Sequence, residues 1–480
     1  WRVERASRVR LIVDAAAYYR HARQAMLNAK EQILLIGWDF DTRIALDREA
    51  EDSAPCHLGR FITFLAKRRP LLRIHILKWD IGAIKLIARG STIFHLLDWM
   101  RQPGIAFRLD GAHPPGASHH QKILVIDDAF AFCGGIDMTG ARWDTRAHQD
   151  NDPARKRPTT RRTYGPWHDA TMALEGPAAK ALGELARDRW RAACGENIAP
   201  PSVCATSWPE KLHPTFVDVP VAISRTRGAT DDQAPIREIE RLFIDMLNSA
   251  SRFVYIETQY FASRVLAQAI AARLQAQDCP EIVVVNPATA DGWLEESVMG
   301  PARAELVRHL RSRDQFGRFR IYTPVTDGGV DIYVHAKIMV MDNTVLRVGS
   351  ANMNNRSMGL DSECDITLDA RLREGNDIRN LIAAVRNDLL AEHLGCDRAA
   401  IAASLQETGS LIATVERMRG NGRTLVPFDP PEFSDIKSAL AKSGLLDPES
   451  ADTTFEPAAR PGLLARLKRS RRTTSVSRPA

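Results

Sequence analysis

The sequence predicts an α/β protein of two similar lobes, each a mixed sheet flanked by helices, related by a pseudo-twofold axis with one site between them. Two observations carry this. His120-Gln-Lys-Ile-Leu-Val-Ile-Asp127 and His335-Ala-Lys-Ile-Met-Val-Met-Asp342 are near copies: a His, a Lys two residues on, four apolar residues, then an Asp. The copies begin 215 residues apart, too far for a solenoid or propeller repeat. Other matches keep the same order around them. Gln32-Ile-Leu-Leu-Ile pairs with Arg252-Phe-Val-Tyr-Ile, and Leu72-Arg-Ile-His-Ile-Leu with Glu281-Ile-Val-Val-Val. Ile105-Ala-Phe-Arg-Leu pairs with Phe319-Arg-Ile-Tyr, and Asp169-Ala-Thr-Met-Ala-Leu with Glu363-Cys-Asp-Ile-Thr-Leu.

Helices and strands alternate along the first half, as an α/β lobe requires. Residues 14–30 read as a helix with Ala15, Tyr18, Ala22, Met26 and Ala29 inward, leading into a strand at Ile33–Ile36. A helix over Leu58–Lys67, a strand at Ile74–Leu77, a helix over Ser91–Met100 and a strand at Ile105–Leu109 follow. The apolar motif residues read as a buried strand, on which side chains two apart leave by the same face. His120 therefore projects with Lys122, and His335 with Lys337. Asp127 and Asp342, five past the lysines, point the other way and suit the turn of a hairpin. Small pairs, Gly134-Gly135 and Gly349-Ser350, come seven residues after each motif Asp. Residues 141–166 interrupt the first lobe without apolar period, and their cluster Arg155, Lys156, Arg157, Arg161 and Arg162 is either a solvated loop or a contact for anionic headgroups. Glu196–Pro220, with five prolines, reads as the crossover between lobes, and Ile236–Ser249 as a helix opening the second. The domains are then 1–200 and 201–395, one motif in each, and a 396–480 extension. That extension holds a helix near 398–418 and a basic tail, Leu463–Ala480, which is either disordered or a short amphipathic membrane-surface segment.

Composition bounds the rest. A chain of 480 residues suits two lobes and a tail. Net charge +6 fits an anionic lipid surface or a nucleic acid and decides for neither. Seven scattered cysteines do not form a disulfide framework, which favours a reducing compartment. No run of about 18 apolar residues is present to span a membrane. The expected location is cytoplasmic and peripheral to a membrane. Because the chain begins at Trp1, a preceding targeting segment and secretion are left open.

The paired motifs, with Gly349-Ser-Ala-Asn352 completing the second, resemble those of the phospholipase D superfamily. Gly134-Gly-Ile-Asp-Met-Thr-Gly-Ala-Arg-Trp-Asp144, Pro166-Trp-His-Asp169 and Tyr255-Ile-Glu-Thr-Gln-Tyr-Phe261 look like its phosphatidylcholine-cleaving branch, of bacterial type. The resemblance spans about residues 8–395. It implies that His120 attacks phosphorus to give a phosphohistidine, and that His335 protonates the leaving alcohol and then activates water or a primary alcohol.

The residues themselves fit that chemistry. Two imidazoles supply nucleophile and acid, and Lys122 and Lys337 place charge on the non-bridging oxygens. Asp169 and Glu363 are candidates to hold the imidazoles' other nitrogens. The candidate catalytic set is thus His120, Lys122, Asp127, Asp169, His335, Lys337, Asp342 and Glu363. Ser350, Asn352, Gly135, Gln259 and Trp38 are candidate substrate contacts. No cofactor is expected, and a cation beside each His argues against a metal site. His119 has the wrong parity and reads as structural; His113 and His168 read as satisfied surface histidines, the alternative being that they line the entrance to the site. The expected substrate is a glycerophospholipid such as phosphatidylcholine at a membrane surface, with water or a primary alcohol as acceptor, a monomeric enzyme and no nucleic-acid partner. The alternatives are a phosphatidyltransferase, such as a cardiolipin or phosphatidylserine synthase, and a nucleic-acid phosphodiesterase.

Overall fold

The computed structural model describes residues 1–80, 92–204, 208–230, 233–289, 293–373, 375, 377–432 and 447, without the side chains of 92–94 and 293–298. The first lobe runs β1 (Arg2–Val13), α1 (Ala15–Asn28), β2 (Gln32–Gly37), α2 (Leu58–Arg68), β3 (Arg73–Trp79), α3 (Thr92–Arg101), β4 (Ile105–Asp110), β5 (Ile123–Ile126), β6 (Phe130–Gly134), β7 (Trp167–His168), β8 (Ala170–Glu175) and α4 (Pro177–Cys194). The second runs β9 (Phe216–Arg227), β10 (Ile236–Arg237), α5 (Glu238–Ser249), β11 (Phe253–Glu257), α6 (Arg264–Leu274), β12 (Glu281–Val285), α7 (Trp293–Arg313), β13 (Phe319–Val325), β14 (Tyr333–Val334), β15 (Ile338–Met341), β16 (Val345–Gly349), α8 (Asn355–Gly359), β17 (Glu363–Asp369) and α9 (Asp377–Leu394). After it come α10 (Arg398–Thr408), α11 (Leu411–Met418) and β18 (Thr424–Pro427).

One sheet crosses both lobes in the order β18-β13-β12-β11-β15-β16-β17-β9-β1-β8-β6-β5-β2-β3-β4. Outward from the central pair, β1-β8-β6-β5-β2-β3-β4 repeats as β9-β17-β16-β15-β11-β12-β13, so the pseudo-twofold falls between antiparallel β1 and β9. Inner strands are buried on both faces, which explains their unbroken apolar runs. Parity assigns each residue to a layer. Leu34 and Ile36 face a core shared by both lobes under α4 and α9–α11, whereas Ile33 and Leu35 face a core under α1–α3. Val254 and Ile256 likewise face α5–α7.

Each motif strand enters a tight hairpin of three residues, 127–129 and 342–344, with positive φ at the first two, 51° and 52° at Asp127-Asp128 and 50° and 56° at Asp342-Asn343. That is the mirror-image turn whose twist suits paired strands. The glycines that open the small pairs permit close strand approach. A Cβ on Gly134 would lie 2.4 Å from the Thr171 Cα, and one on Gly349 2.6 Å from the Asp365 Cα.

Three expectations need correcting. The crossover ends earlier than Pro220, because Phe216–Pro220 are already in β9. The expected helix near 398–418 is two, broken at Gly409, which takes a left-handed conformation at φ 64°. The expected extension from 396 is not separate: β18 pairs with β13 at the edge of the second lobe. The basic tail Leu463–Ala480 lies outside the described residues.

Candidate active site

The His–Lys pairs stand just before β5 and β15 and not within those strands as expected, and they meet at one inter-lobe site where each half completes the other. The backbone N–H of His120 donates to the Ser362 carbonyl at 2.9 Å, and that of His335 to the His168 carbonyl at 2.7 Å. The residue after each of those carbonyls is the orienting acid. Glu363 of the second lobe holds the Nδ1 of His120 at 2.9 Å, and Asp169 of the first holds the Nδ1 of His335 at 2.6 Å. The carboxylates are exchanged between lobes. Each bond fixes a tautomer and leaves Nε2 as the working nitrogen. Ser350 and Ser357 donate to Glu363 at 2.5 and 2.7 Å and hold it in turn.

The lysines curl back toward their own strands. Lys122 Nζ donates to the His120 carbonyl at 2.9 Å, and Lys337 Nζ to the His335 carbonyl. Beyond that they differ. Lys122 lies 3.2 Å from the Asp137 carboxylate. Lys337 lies 3.3 Å from the Gln259 amide oxygen, which also sits 3.5 Å from the Asn352 amide nitrogen.

Burial pushes the pKa of both histidines well below its ordinary value, and the neighbouring lysines add to the effect. Burial also pushes Asp169 up and carries Glu363 to about 7. Lys337, desolvated and near Lys122, is lowered to about 7. The free site therefore resists another positive charge and leaves His120 a neutral imidazole with a lone pair to donate. A phosphodiester anion placed among the lysines offsets their repulsion and lets His335 hold a proton.

A scan against family models matches residues 243–384 to one described as "Cardiolipin synthase, PLD-like domain". Phospholipase D alpha 4 of Arabidopsis thaliana is 22% identical over 491 residues, covering 80% of this chain and 64% of the relative. Phospholipase D alpha 1 of Nicotiana tabacum is 25% identical over 511 residues, covering 77% and 63%. Residues 243–384 thus match a phospholipase D-like domain, and over most of its length the chain is similar to phospholipases D at 22–25% identity. It spans less than two thirds of the length of these relatives, and 32% of Dictyostelium discoideum phospholipase D A. Among solved structures, phosphatidylserine synthase of Haemophilus influenzae Rd KW20 shares the fold with a TM-score of 0.54 at 14% identity, covering 80% of this chain and 86% of that one.

Several expected site residues have other tasks. Asp127 and Asp342 are not in the catalytic group, nor do they tie their own turns. Asp127 accepts the backbone N–H groups of Lys30, Glu31 and Gln32 at 2.6–2.9 Å. Asp342 accepts those of Ser251, Arg252 and Phe253 at 2.6–2.8 Å. Each closes the helix-to-strand loop of its own lobe. The Ser350 hydroxyl is spent on Glu363 and the Cys364 backbone. Gly135 contributes space: a Cβ there would lie 2.3 Å from an Asp169 carboxylate oxygen. Trp38 is half-buried and stacks on Trp79 at 5.7 Å. His119 is structural as expected, fully buried between Asp110 and Ser362.

His168 is not a surface residue. It is fully buried, with Nε2 2.8 Å from Glu257 and Nδ1 3.0 Å from Glu392. His148 bridges Asp144 and the same Glu392 at 2.9 and 3.2 Å, and His393 reaches Glu257 at 3.1 Å. Asp14, His148, His168 and Glu392 are close enough to hold a cation between them, as are His168, Glu257 and His393. Both ring nitrogens of His148 and of His168 are already committed to carboxylates. This group instead rivets β7, β11 and α9 together directly behind Asp169. Sequence reading missed it because its contacts join segments up to 244 residues apart; the Glu392-His393 pair beside a helix end was the available signal.

Proposed function

We propose that this protein is a phospholipase D that cleaves the distal phosphodiester of glycerophospholipids, giving phosphatidic acid and a free headgroup alcohol. The observation supporting this most is the crossed arrangement of two His–carboxylate pairs around two lysines. Nε2 of His120 attacks phosphorus while Nε2 of His335 gives its proton to the departing alkoxide, so the phosphorus–headgroup oxygen bond breaks as the phosphorus–nitrogen bond forms. His335 then takes a proton from water, whose oxygen displaces His120 and restores the free imidazole. Lys122 and Lys337, the latter held by the Gln259 amide oxygen, face the charge on the phosphoryl oxygens. A primary alcohol in place of water yields the transphosphatidylation product. The substrate is met at a membrane surface; no helix among the described residues is long and apolar enough to cross one.

The test is incubation of the purified protein with phospholipid vesicles, plasmid and oligonucleotide, with and without butanol and a chelator. Headgroup release that persists under chelation, with phosphatidylbutanol formed at the expense of phosphatidic acid, is expected. Cleavage of nucleic acid in place of lipid would overturn the reading, and lipid hydrolysis without alcohol transfer would remove the covalent step.

A further inference from the structure

The crossed site is symmetric in its dyads but not in its surroundings. Between β6 and β7 the first lobe carries the insertion 141–166, where the second joins the matching strands through Ser350–Ser362 alone. The insertion folds back beside only one of the two histidines. The ribbon of β7 and β14 pairs Tyr333 with Trp167 and Val334 with His168. By strand parity Trp167 accompanies Asp169, and Tyr333 accompanies His335. The Trp167 ring stacks on Tyr333 at 4.4 Å and lies 5.4 Å from the His335 ring. The Tyr333 hydroxyl accepts from the Gln259 amide at 2.9 Å, the same amide group that reaches Lys337.

A cavity of about 230 Å³ opens on this wall, with Arg142, Arg157, Tyr164, Trp167, Asp331 and Tyr333 among its lining. It has room for roughly seven waters, the scale of a small headgroup alcohol rather than an acyl chain. Its position fits that use. If His120 attacks, the departing oxygen stands in line on the opposite side, where His335 protonates it. The alcohol attached to that oxygen then lies against the wall adjoining His335.

The charge of the cavity decides what the alcohol carries. An aromatic pair next to a phosphate site would ordinarily suit a quaternary ammonium. Here the Arg142 guanidinium already lies over the Trp167 ring, 4.0 Å from its centroid. Arg157 stands near Tyr164, 6.0 Å from its centroid, and among the described residues the lining carboxylate is Asp331. Guanidinium forks match carboxylate and phosphate oxygens, not cations. The Arg142 charge also reaches the dyad, lowering the proton affinity of His335, Asp169 and Lys337. An anion bound at Arg142 screens that charge and helps His335 keep the proton it must donate.

Resting on the phospholipase reading above, we propose that this cavity is a binding site for the anionic group, carboxylate or phosphate, of the headgroup alcohol, and that it discriminates against choline. The insertion cluster expected to be either solvated or headgroup-binding thus divides: Arg155 is buried against Asp144, and Arg157 faces the cavity.

The test uses soluble short-chain lipids, so that surface charge plays no part. Dibutyryl phosphatidylserine tests a carboxylate, dibutyryl phosphatidylglycerophosphate a phosphate, and dibutyryl phosphatidylcholine the cation. At least one anionic headgroup should exceed choline tenfold in kcat/KM, and Arg157→Glu or Arg142→Gln should reduce that ratio at least fivefold. In parallel, saturation-transfer NMR on His120→Ala protein should show L-serine or glycerol 3-phosphate binding, choline not binding, and the anion signal lost on adding Arg157→Glu. Turnover that favours choline, or a ratio that neither arginine variant moves, overturns the anion site and leaves the phospholipase reading intact. Arginine-dependent anion binding without turnover of any lipid would do the reverse.

Discussion

Asp137 and Asn352 stand at equivalent places in the two lobes, each two residues beyond its small pair, and they give the two catalytic lysines unlike neighbours. The Asp137 carboxylate is 3.2 Å from Lys122, whereas the lysine on the Asn352 side meets only amide oxygen at 3.3 Å. One of the two lysines therefore has a carboxylate beside its ammonium before substrate arrives. Asp137→Asn should remove that carboxylate's charge while its remaining oxygen still accepts the Trp38 backbone N–H. Inhibition by inorganic phosphate or vanadate should tighten about three- to tenfold, on the scale of one nearby charge in a partly screened site. An unchanged inhibition constant would show that Asp137 serves the backbone alone.

The exchanged carboxylates predict matching losses. Glu363→Gln and Asp169→Asn each lose the acceptor that fixes an imidazole tautomer, and kcat should fall by roughly 10²–10⁴ with little change in KM. His120→Ala should cost at least as much, and adding Glu363→Gln to it should cost little more, because the pair acts as a unit. Additive losses in single-turnover assays would show that Glu363 acts independently of His120.

Lys337 sets the alkaline limit. Burial foremost, then Lys122, lowers it to about 7 in the free protein. Its charge, needed for the phosphoryl oxygens, is lost as pH rises through that value, so kcat/KM should fall above about pH 7. In the complex the phosphodiester anion favours the cation, and kcat should hold to higher pH. Coincident alkaline limbs in the two profiles would exclude this coupling.

Stability should decline with alkalinity for a separate reason. Burial alone would lower His148, but Asp14, Asp144 and Glu392 outweigh it and raise it to about 8. A folded-state value above the unfolded one of about 6.5 means the imidazolium stabilises fully below that pH. The contribution is lost as pH rises from there through about 8. Urea midpoints should fall across this window, and the slope should flatten in His148→Gln.

Asp127→Ala or Asp342→Ala should damage folding rather than chemistry. Each leaves three backbone donors without their carboxylate, a loss of roughly 2–4 kcal/mol. Denaturation should show this, while kcat per folded molecule, by active-site titration, should stay within about twofold of the parent.

Sequence alone located the two dyads' histidines, the lysines and both orienting acids, because each occurs twice and strand parity fixes which side chains travel together. It did not say which acid serves which histidine, since that depends on how the lobes dock. The docking strands were not legible either. β1 carries Arg2, Glu4, Arg5, Arg8 and Arg10, which leave most of it without an apolar run, yet it lies mid-sheet with Arg8 paired to Glu175 and Arg5 to Asp218. The His168 rivet escaped notice because a buried imidazole flanked by carboxylates from distant segments has no local pattern.

Glu363 and Asp169 each serve a histidine on the opposite lobe, which has a bearing on ancestry. A single lobe standing alone would hold a histidine without its carboxylate and a carboxylate without its histidine, so a half-length chain could work only by pairing with its twin. Twins encoded once must stay identical. Joined in one chain, the halves were released from that constraint, and an acid in one and an amide in the other, with a basic insertion beside only one histidine, are what that freedom produced.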